Sequence, residues 1–254
     1  MVSTSQNRTE RTARLCAEAA LFMRDHVLSR VSHDLRSPLN AIHSWAYVLE
    51  RKIDSADAAA QRALGGIRTG VEQQVQLLES LVDATRAETR KLRIERTPFA
   101  VAALLGEAVD DARAALGDAR GVTFAVQDRT GGATLDGDRE RIAQALWLML
   151  VFAAETSAQG ASVTLAASGS ATAAQLEVKW LATRAALTDD TLSHVLEPFA
   201  RAQAKEQQEA GRYAWVLALC HRVAEAHGGR FEAPALVGEG EEMALVLNVP
   251  LNRP

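Results

Sequence analysis

His33, Asp34 and Ser37 are the side chains of this 254-residue chain whose types and spacing first suggest chemistry. Around them apolar residues recur at Leu21, Leu28, Leu35, Ile42 and Leu49, with Val31 and Trp45 three positions after Leu28 and Ile42. With Leu28 and Leu35 as the a positions of a heptad repeat, His33 falls at f, turned away from the seam and into solvent. Ser37 lies four residues on, above His33 on the same face, and Asp34 is its immediate neighbour. An exposed imidazole beside a carboxylate can act as a nucleophile, because the carboxylate orients one ring nitrogen and raises the basicity of the other. Pro38 removes a backbone donor just beyond this site and is predicted to bend the helix locally. A proline inside a helix costs about 3 kcal/mol by propensity, so the block is maintained by something other than helix stability.

The element carrying His33 is predicted to be a helix from about Thr12 to Arg51, a rod of roughly 60 Å. A second helix is expected from about Asp57 to Arg90, with Leu64, Val71 and Leu78 in one row and Ile67, Val75, Leu81 and Val82 beside it. The short polar link Ile53 to Ala56 makes the pair an antiparallel hairpin. One hairpin leaves much of both seams wet, so two copies are expected to pair into a four-helix bundle, a homodimer.

Past Arg90 the texture changes. A strand-like Lys91 to Glu95, ended by Pro98, precedes an amphipathic helix from about Val101 to Leu116. Extended segments follow at Val122 to Gln127, Ser162 to Ala167, Gln175 to Trp180, Arg230 to Ala233 and Met243 to Val249, with helices at Asp138 to Glu155 and Tyr213 to His227. Helices covering one face of a mostly antiparallel sheet define an α+β domain. The expected division is residues 1–96 for the hairpin and 97–254 for the α+β domain.

Composition narrows the function classes. Lys and Arg number 28 against 32 Asp and Glu, a net charge of -4, so no basic field gathers nucleic acid or anionic lipid. The longest strongly apolar run, Ala145 to Ala154, is about half of a membrane span, and Met1 to Glu10 lacks a signal core. Two distant cysteines, Cys16 and Cys220, are expected to be reduced, mostly buried thiols of a cytoplasmic protein. The six histidines show no zinc spacing, and His194, His221 and His227 lack carboxylate or cysteine companions at ligand spacing.

The block His33 to Ile42 resembles the phosphoacceptor box of sensor histidine kinases, and Gln74 to Arg90 resembles the end of that family's second hairpin helix. Gly137 to Leu146 is similar to the lead-in to the family's asparagine box, and Glu197-Pro198-Phe199 and Val223 to Gly229 are similar to its later motifs. The resemblance spans about Arg24 to Leu251. It implies a dimerisation and histidine-phosphotransfer hairpin followed by a Bergerat-type ATPase sandwich.

Against that pattern the nucleotide positions depart. The two asparagines that hold magnesium and phosphates in the family fall here at Leu148 and Phe152, which offer no oxygen ligand, and the usual lysine is Glu155. The adenine-binding aspartate falls at Ala182, and the glycines after it at Arg184 and Ala186. The glycine-rich phosphate loop becomes Arg212, Tyr213, Ala214, Trp215 and Val216, of which Trp215 and Val216 cannot cheaply let backbone approach a phosphate. The expectation is a histidine phosphotransferase or pseudokinase with no cofactor of its own. It would relay phosphoryl groups between His33 and a receiver domain that brings the magnesium, with Asp34 orienting the ring and Ser37 positioning water or the receiver. A non-catalytic docking scaffold and an active kinase with a divergent nucleotide site are the competing readings.

Overall fold

The computed structural model of the chain describes residues 2–54, 57–86, 92–169, 173–205, 215–234 and 237–250. The chain divides into two compact units, residues 24–90 and residues 1–23 together with 91–254. No helix among the described residues is long and apolar enough to cross a membrane.

Helix α1 runs Val2–Glu50, starting ten residues before the expected Thr12, and continues without interruption through Pro38. The missing Pro38 N–H leaves the carbonyl of Asp34 without its helical donor, so the backbone defect falls beside His33. Helix α2 runs Ala58–Arg86. Asp57 caps it, its Oδ1 accepting from the N–H groups of Ala59 at 3.1 Å and Ala60 at 2.9 Å. The expected continuation over 87–90 lies outside the described residues.

In the unit of residues 24–90, Arg36 pairs with Glu79, His43 approaches Glu72 and Glu50 pairs with Arg68. Numbers rise along α1 as they fall along α2, as an antiparallel hairpin requires. Ser32 and Ala46 of α1 and Leu64 and Val71 of α2 are buried. The seam row of α1 is not: Val31, Leu35, Ile42, Trp45 and Leu49 are exposed, Trp45 by 67%. Ile67, Leu77 and Leu81 of α2 are exposed too. The hairpin thus buries Ser32 and Ala46, with half-buried Leu39 between them on the same row, and leaves the larger apolar row uncovered.

The other unit is an α+β sandwich. Strand β1 (Thr97–Ala100) pairs antiparallel with β3 (Thr134–Gly137), with Pro98 opposite Asp136. This corrects the expected strand at Lys91 to Glu95 ended by Pro98: Pro98 lies inside the strand, which a two-stranded ribbon permits because each strand is an edge. Strand β3 was not anticipated. Helix α3 (Val101–Ala112) passes through a π-turn at Arg113–Gly117 into α4 (Asp118–Arg120), ended by Gly121 at φ +64°.

There follow β2 (Thr123–Arg129), α5 (Arg139–Glu155), β4 (Ser162–Gly169) and β5 (Ala173–Thr183). A 3-10 turn at Arg184–Thr188 leads to α6 (Pro198–Lys205), α7 (Ala218–Ala226), β6 (Arg230–Glu232) and β7 (Glu239–Pro250). Tyr213, the expected start of α7, lies outside the described residues. The five-stranded sheet has order β2-β4-β5-β7-β6, parallel at β2-β4 and antiparallel elsewhere. Its inward rows are in register, Val163 and Met243 both facing Trp180, and Leu165 and Leu245 both facing Val178.

Helix α5 is buried at every position from Ile142 to Glu155, because it lies between the sheet, α3 and α7. The first turns of α1 join this unit by burying Leu15, Ala19 and Phe22 and through ion pairs. Arg11 meets Asp111 at 2.7 Å and Glu107 at 2.9 Å, and Glu18 meets Arg141 at 3.0 Å.

His227 ends α7 and ties it to the start of α5. Its Nδ1–H donates to the Val223 carbonyl at 2.7 Å, and its Nε2 accepts the Asp138 N–H at 2.9 Å. Only the neutral ring fits both partners. Burial lowers its pKa below the ordinary value, Arg96 adding to the depression while the Val223 hydrogen bond and Asp138 oppose it. A histidine with a depressed folded pKa keeps its full contribution above the unfolded value of about 6.5, and that contribution is lost as pH falls through the folded pKa. The urea midpoint is therefore expected to drop between pH 7.5 and pH 5 by more in the natural protein than in His227→Gln, measured by fluorescence-monitored unfolding.

Candidate functional site

The exposed face of α1 brings together two of the three residues singled out by spacing. The His33 side chain is 79% exposed, and its Nδ1 lies 3.2 Å from Asp34 Oδ1. The tautomer protonated at Nδ1 donates to Asp34 and leaves the Nε2 lone pair in solvent. The hydrogen bond from His33 is the main cause holding the Asp34 carboxyl below the usual range, and the charge and hydrogen bond of Arg30 act in the same direction. Asp34 Oδ2 accepts from Arg30 Nε at 3.2 Å, a contact that spacing alone could have flagged as an i,i+4 pair. Ser37 is exposed on the following turn. Chemically, this face presents an exposed imidazole beside a carboxylate, with nothing built over it within residues 24–90.

The second set of positions lies in the α+β unit. Leu148 and Phe152 of α5 are buried, as are Trp147 of α5 and Trp180, Ala182, Ala186 and Val216. The Phe152 ring meets Trp180 edge to face, centroids 6.2 Å apart and planes at 89°. A T-shaped pair of this kind adds about 0.5–1.5 kcal/mol beyond its burial. Beside it a register shift in β5 between Leu181 and Thr183 accommodates Ala182. Arg184 is half-buried, its backbone N–H donating to Glu239 at 2.8 Å. Arg212 and Ala214 lie outside the described residues. One cavity, of about 360 Å³, is lined by Cys16, Ala20, Trp147, Leu196 and Val216 and is largely apolar. Cys16 is half-buried rather than mostly buried, whereas Cys220 is fully buried, and burial raises both thiols above their ordinary pKa.

Glu155 carries an arrangement that sequence spacing did not disclose. Its carboxylate is fully buried. Oε1 accepts the N–H groups of Val195 at 2.6 Å and Leu196 at 2.7 Å, and Oε2 meets His194 Nδ1 at 2.9 Å. Arg120, also buried, donates to the carbonyls of Glu155 at 3.3 Å, Ser157 at 3.1 Å and Ser193 at 3.1 Å. Burial depresses the Arg120 pKa, and the facing Glu155 opposes that depression. His194 therefore does have a carboxylate companion, 39 residues away in sequence, and only the packing of the 193–196 loop against the end of α5 brings the two together.

A phosphoacceptor-type helical hairpin joined to a mixed α+β domain is the organisation of two-component signalling kinases. Residues 23–90 match the His Kinase A (phospho-acceptor) domain. The chain is 51% identical to a histidine kinase from Burkholderia phymatum whose crystal structure aligns over 96% of this chain and 99% of that one, with a TM-score of 0.79. It is 26% identical over 241 residues to the autoinducer 2 sensor kinase/phosphatase LuxQ of Vibrio cholerae, covering 94% of this chain and 28% of that protein. It is also 26% identical over 244 residues to the histidine protein kinase DivJ of Caulobacter vibrioides, covering 94% of this chain and 40% of that protein. The chain belongs to the histidine kinase family, and it spans less than half the length of these two curated relatives.

The Glu155 node gives a direct test of what holds the end of α5. Glu155→Ala would leave the N–H groups of Val195 and Leu196 and Nδ1 of His194 without their acceptor. A buried donor left without its acceptor costs about 1–3 kcal/mol. Urea unfolding should show a loss of that size, with Glu155→Gln, which keeps an acceptor oxygen, losing less.

Proposed function

We propose that the chain is a dimeric, cytoplasmic histidine phosphotransferase, or pseudokinase, of two-component signalling. It presents His33 to receiver domains without phosphorylating itself from ATP. The observation that carries this reading is the pairing of an exposed, oriented His33 with hydrocarbon side chains, Leu148 and Phe152, buried where the family's magnesium-binding asparagines would stand. Magnesium takes oxygen ligands near 2.1 Å, and neither side chain has an oxygen, so the residues present do not fit a magnesium nucleotide.

In the relay, the His33 Nε2 lone pair attacks the phosphorus of a receiver aspartyl phosphate. The N–P bond forms as the P–O bond to the aspartate breaks, and the electron pair leaves with the carboxylate. The proton on Nδ1 stays hydrogen-bonded to Asp34, whose charge balances the cationic ring, so the return step needs no proton movement. Ser37, one turn on, positions water or the receiver. Phosphoryl transfer of this kind depends on positioning and charge stabilisation, which an exposed helix face can supply when the receiver brings the magnesium.

The uncovered row Leu35, Ile42 and Trp45 supports the homodimer, because a second hairpin laid on it completes a four-helix bundle. The free thiols of Cys16 and Cys220 fit a reducing compartment. The kinase names of LuxQ and DivJ favour the competing reading of an active kinase with a divergent nucleotide site, and the docking scaffold is the remaining alternative.

Isothermal titration of the purified protein with magnesium ATP should give no saturable heat, and incubation with labelled ATP should leave His33 unlabelled. Labelling of His33 by ATP would establish the kinase instead. A phosphorylated receiver should transfer label to the natural protein and not to His33→Gln. Receiver binding without transfer would select the scaffold. Ile42→Asp should convert a dimer to a monomer in size-exclusion chromatography with light scattering, with helical circular dichroism retained.

A further inference from the structure

We infer that Arg30 is a positioning residue for His33, acting through Asp34 to hold the imidazole in the tautomer that frees Nε2; the inference rests on the phosphoacceptor reading of His33. Arg30, His33, Asp34 and Ser37 occupy one face of α1, at spacings of three and four residues. Asp34 has two oxygens and spends them on different partners, Oδ2 accepting from Arg30 Nε and Oδ1 facing His33 Nδ1, both at 3.2 Å. The other nearby cation of the face, Arg36, is engaged by Glu79 of α2 at 2.9 Å.

Helix stability does not account for the arrangement. All three side chains are at least half exposed, and a basic residue placed four before an acidic one is the less favourable order along a helix. Its consequence is geometric. An aspartate in solvent samples several rotamers, and in most of them its carboxylate leaves the neighbouring ring. Tying Oδ2 one turn back selects the rotamer in which Oδ1 stays against Nδ1. A histidine side chain in water has no such acceptor fixed at Nδ1, so the proton is then free to sit on Nε2, where it blocks attack on phosphorus. Arg30 makes no contact with the reacting nitrogen and therefore acts on orientation alone.

The test uses the full chain labelled with 15N-histidine, the tautomer of His33 being read from ring nitrogen shifts and the phosphorylation rate from incubation with phosphoramidate, a small donor that needs no partner. Arg30→Ala is expected to lower the Nδ1–H to Nε2–H ratio about twofold, the size of effect an exposed i,i+4 pair supplies, and to slow phosphorylation in proportion. Arg30→Lys is expected to restore both, and unchanged unfolding midpoints separate the effect from a loss of fold. A His33 tautomer ratio in Arg30→Ala equal to that of the natural protein would overturn the inference. If phosphoramidate labels neither protein at His33, the phosphoacceptor reading fails, while the ring nitrogen shifts still decide the role of Arg30.

Discussion

The phase of α1 against α2 is the constraint from which the hairpin's other properties follow. Within the hairpin Ser32 and Ala46 of α1 and Leu64 and Val71 of α2 are buried. A helix has 3.6 residues per turn, so choosing that row fixes every other residue around the axis. One residue beyond Ser32 lies His33, carried out into solvent. On the flank lie Leu35, Ile42 and Trp45, uncovered within a single hairpin. A phase shifted by one residue would turn the imidazole toward α2 and would lose both the exposed nucleophile and the apolar flank.

Within this phase the polar groups of the His33 face are coupled through single atoms. Asp34 links Arg30 to His33, and the Pro38 ring removes the donor for the Asp34 carbonyl one turn away. The face gains little stability from these contacts, since exposed ion pairs contribute only tenths of a kcal/mol. Their value lies in orientation, which is what phosphoryl transfer by an imidazole requires.

The α+β unit shows the opposite economy, with polar groups buried and hydrogen-bonded at the end of α5. There the Glu155 carboxylate and the Arg120 guanidinium bind the 193–196 loop, whose own His194 imidazole meets the carboxylate. One helical turn earlier Phe152 closes against Trp180. Together they make the end of α5 a rigid junction of loop, helix and sheet. The same length of helix in the family resemblance would carry asparagines facing a nucleotide. In this chain it carries buried hydrocarbon, where each large apolar side chain contributes about 1.5–3 kcal/mol by burial.

Local pattern in the sequence determined the long helices, the f position of His33, the α+β class and the apolar character of Leu148 and Phe152, because periodicity and side-chain chemistry are properties of neighbouring residues. It missed strand β3 and misplaced the strand at Pro98, because a short edge ribbon carries no periodic signal and tolerates a proline that a central strand would not. It also could not show that residues 2–23 of α1 belong with the α+β unit, since the Arg11 and Glu18 ion pairs join partners about a hundred residues apart. The pairing of Glu155 with His194, the Arg120 bonds to nearby carbonyls, and the choice of the Ser32 and Ala46 row as the buried one were decided only by the tertiary structure. Each depends on which surfaces meet in space, and spacing along the chain does not encode that.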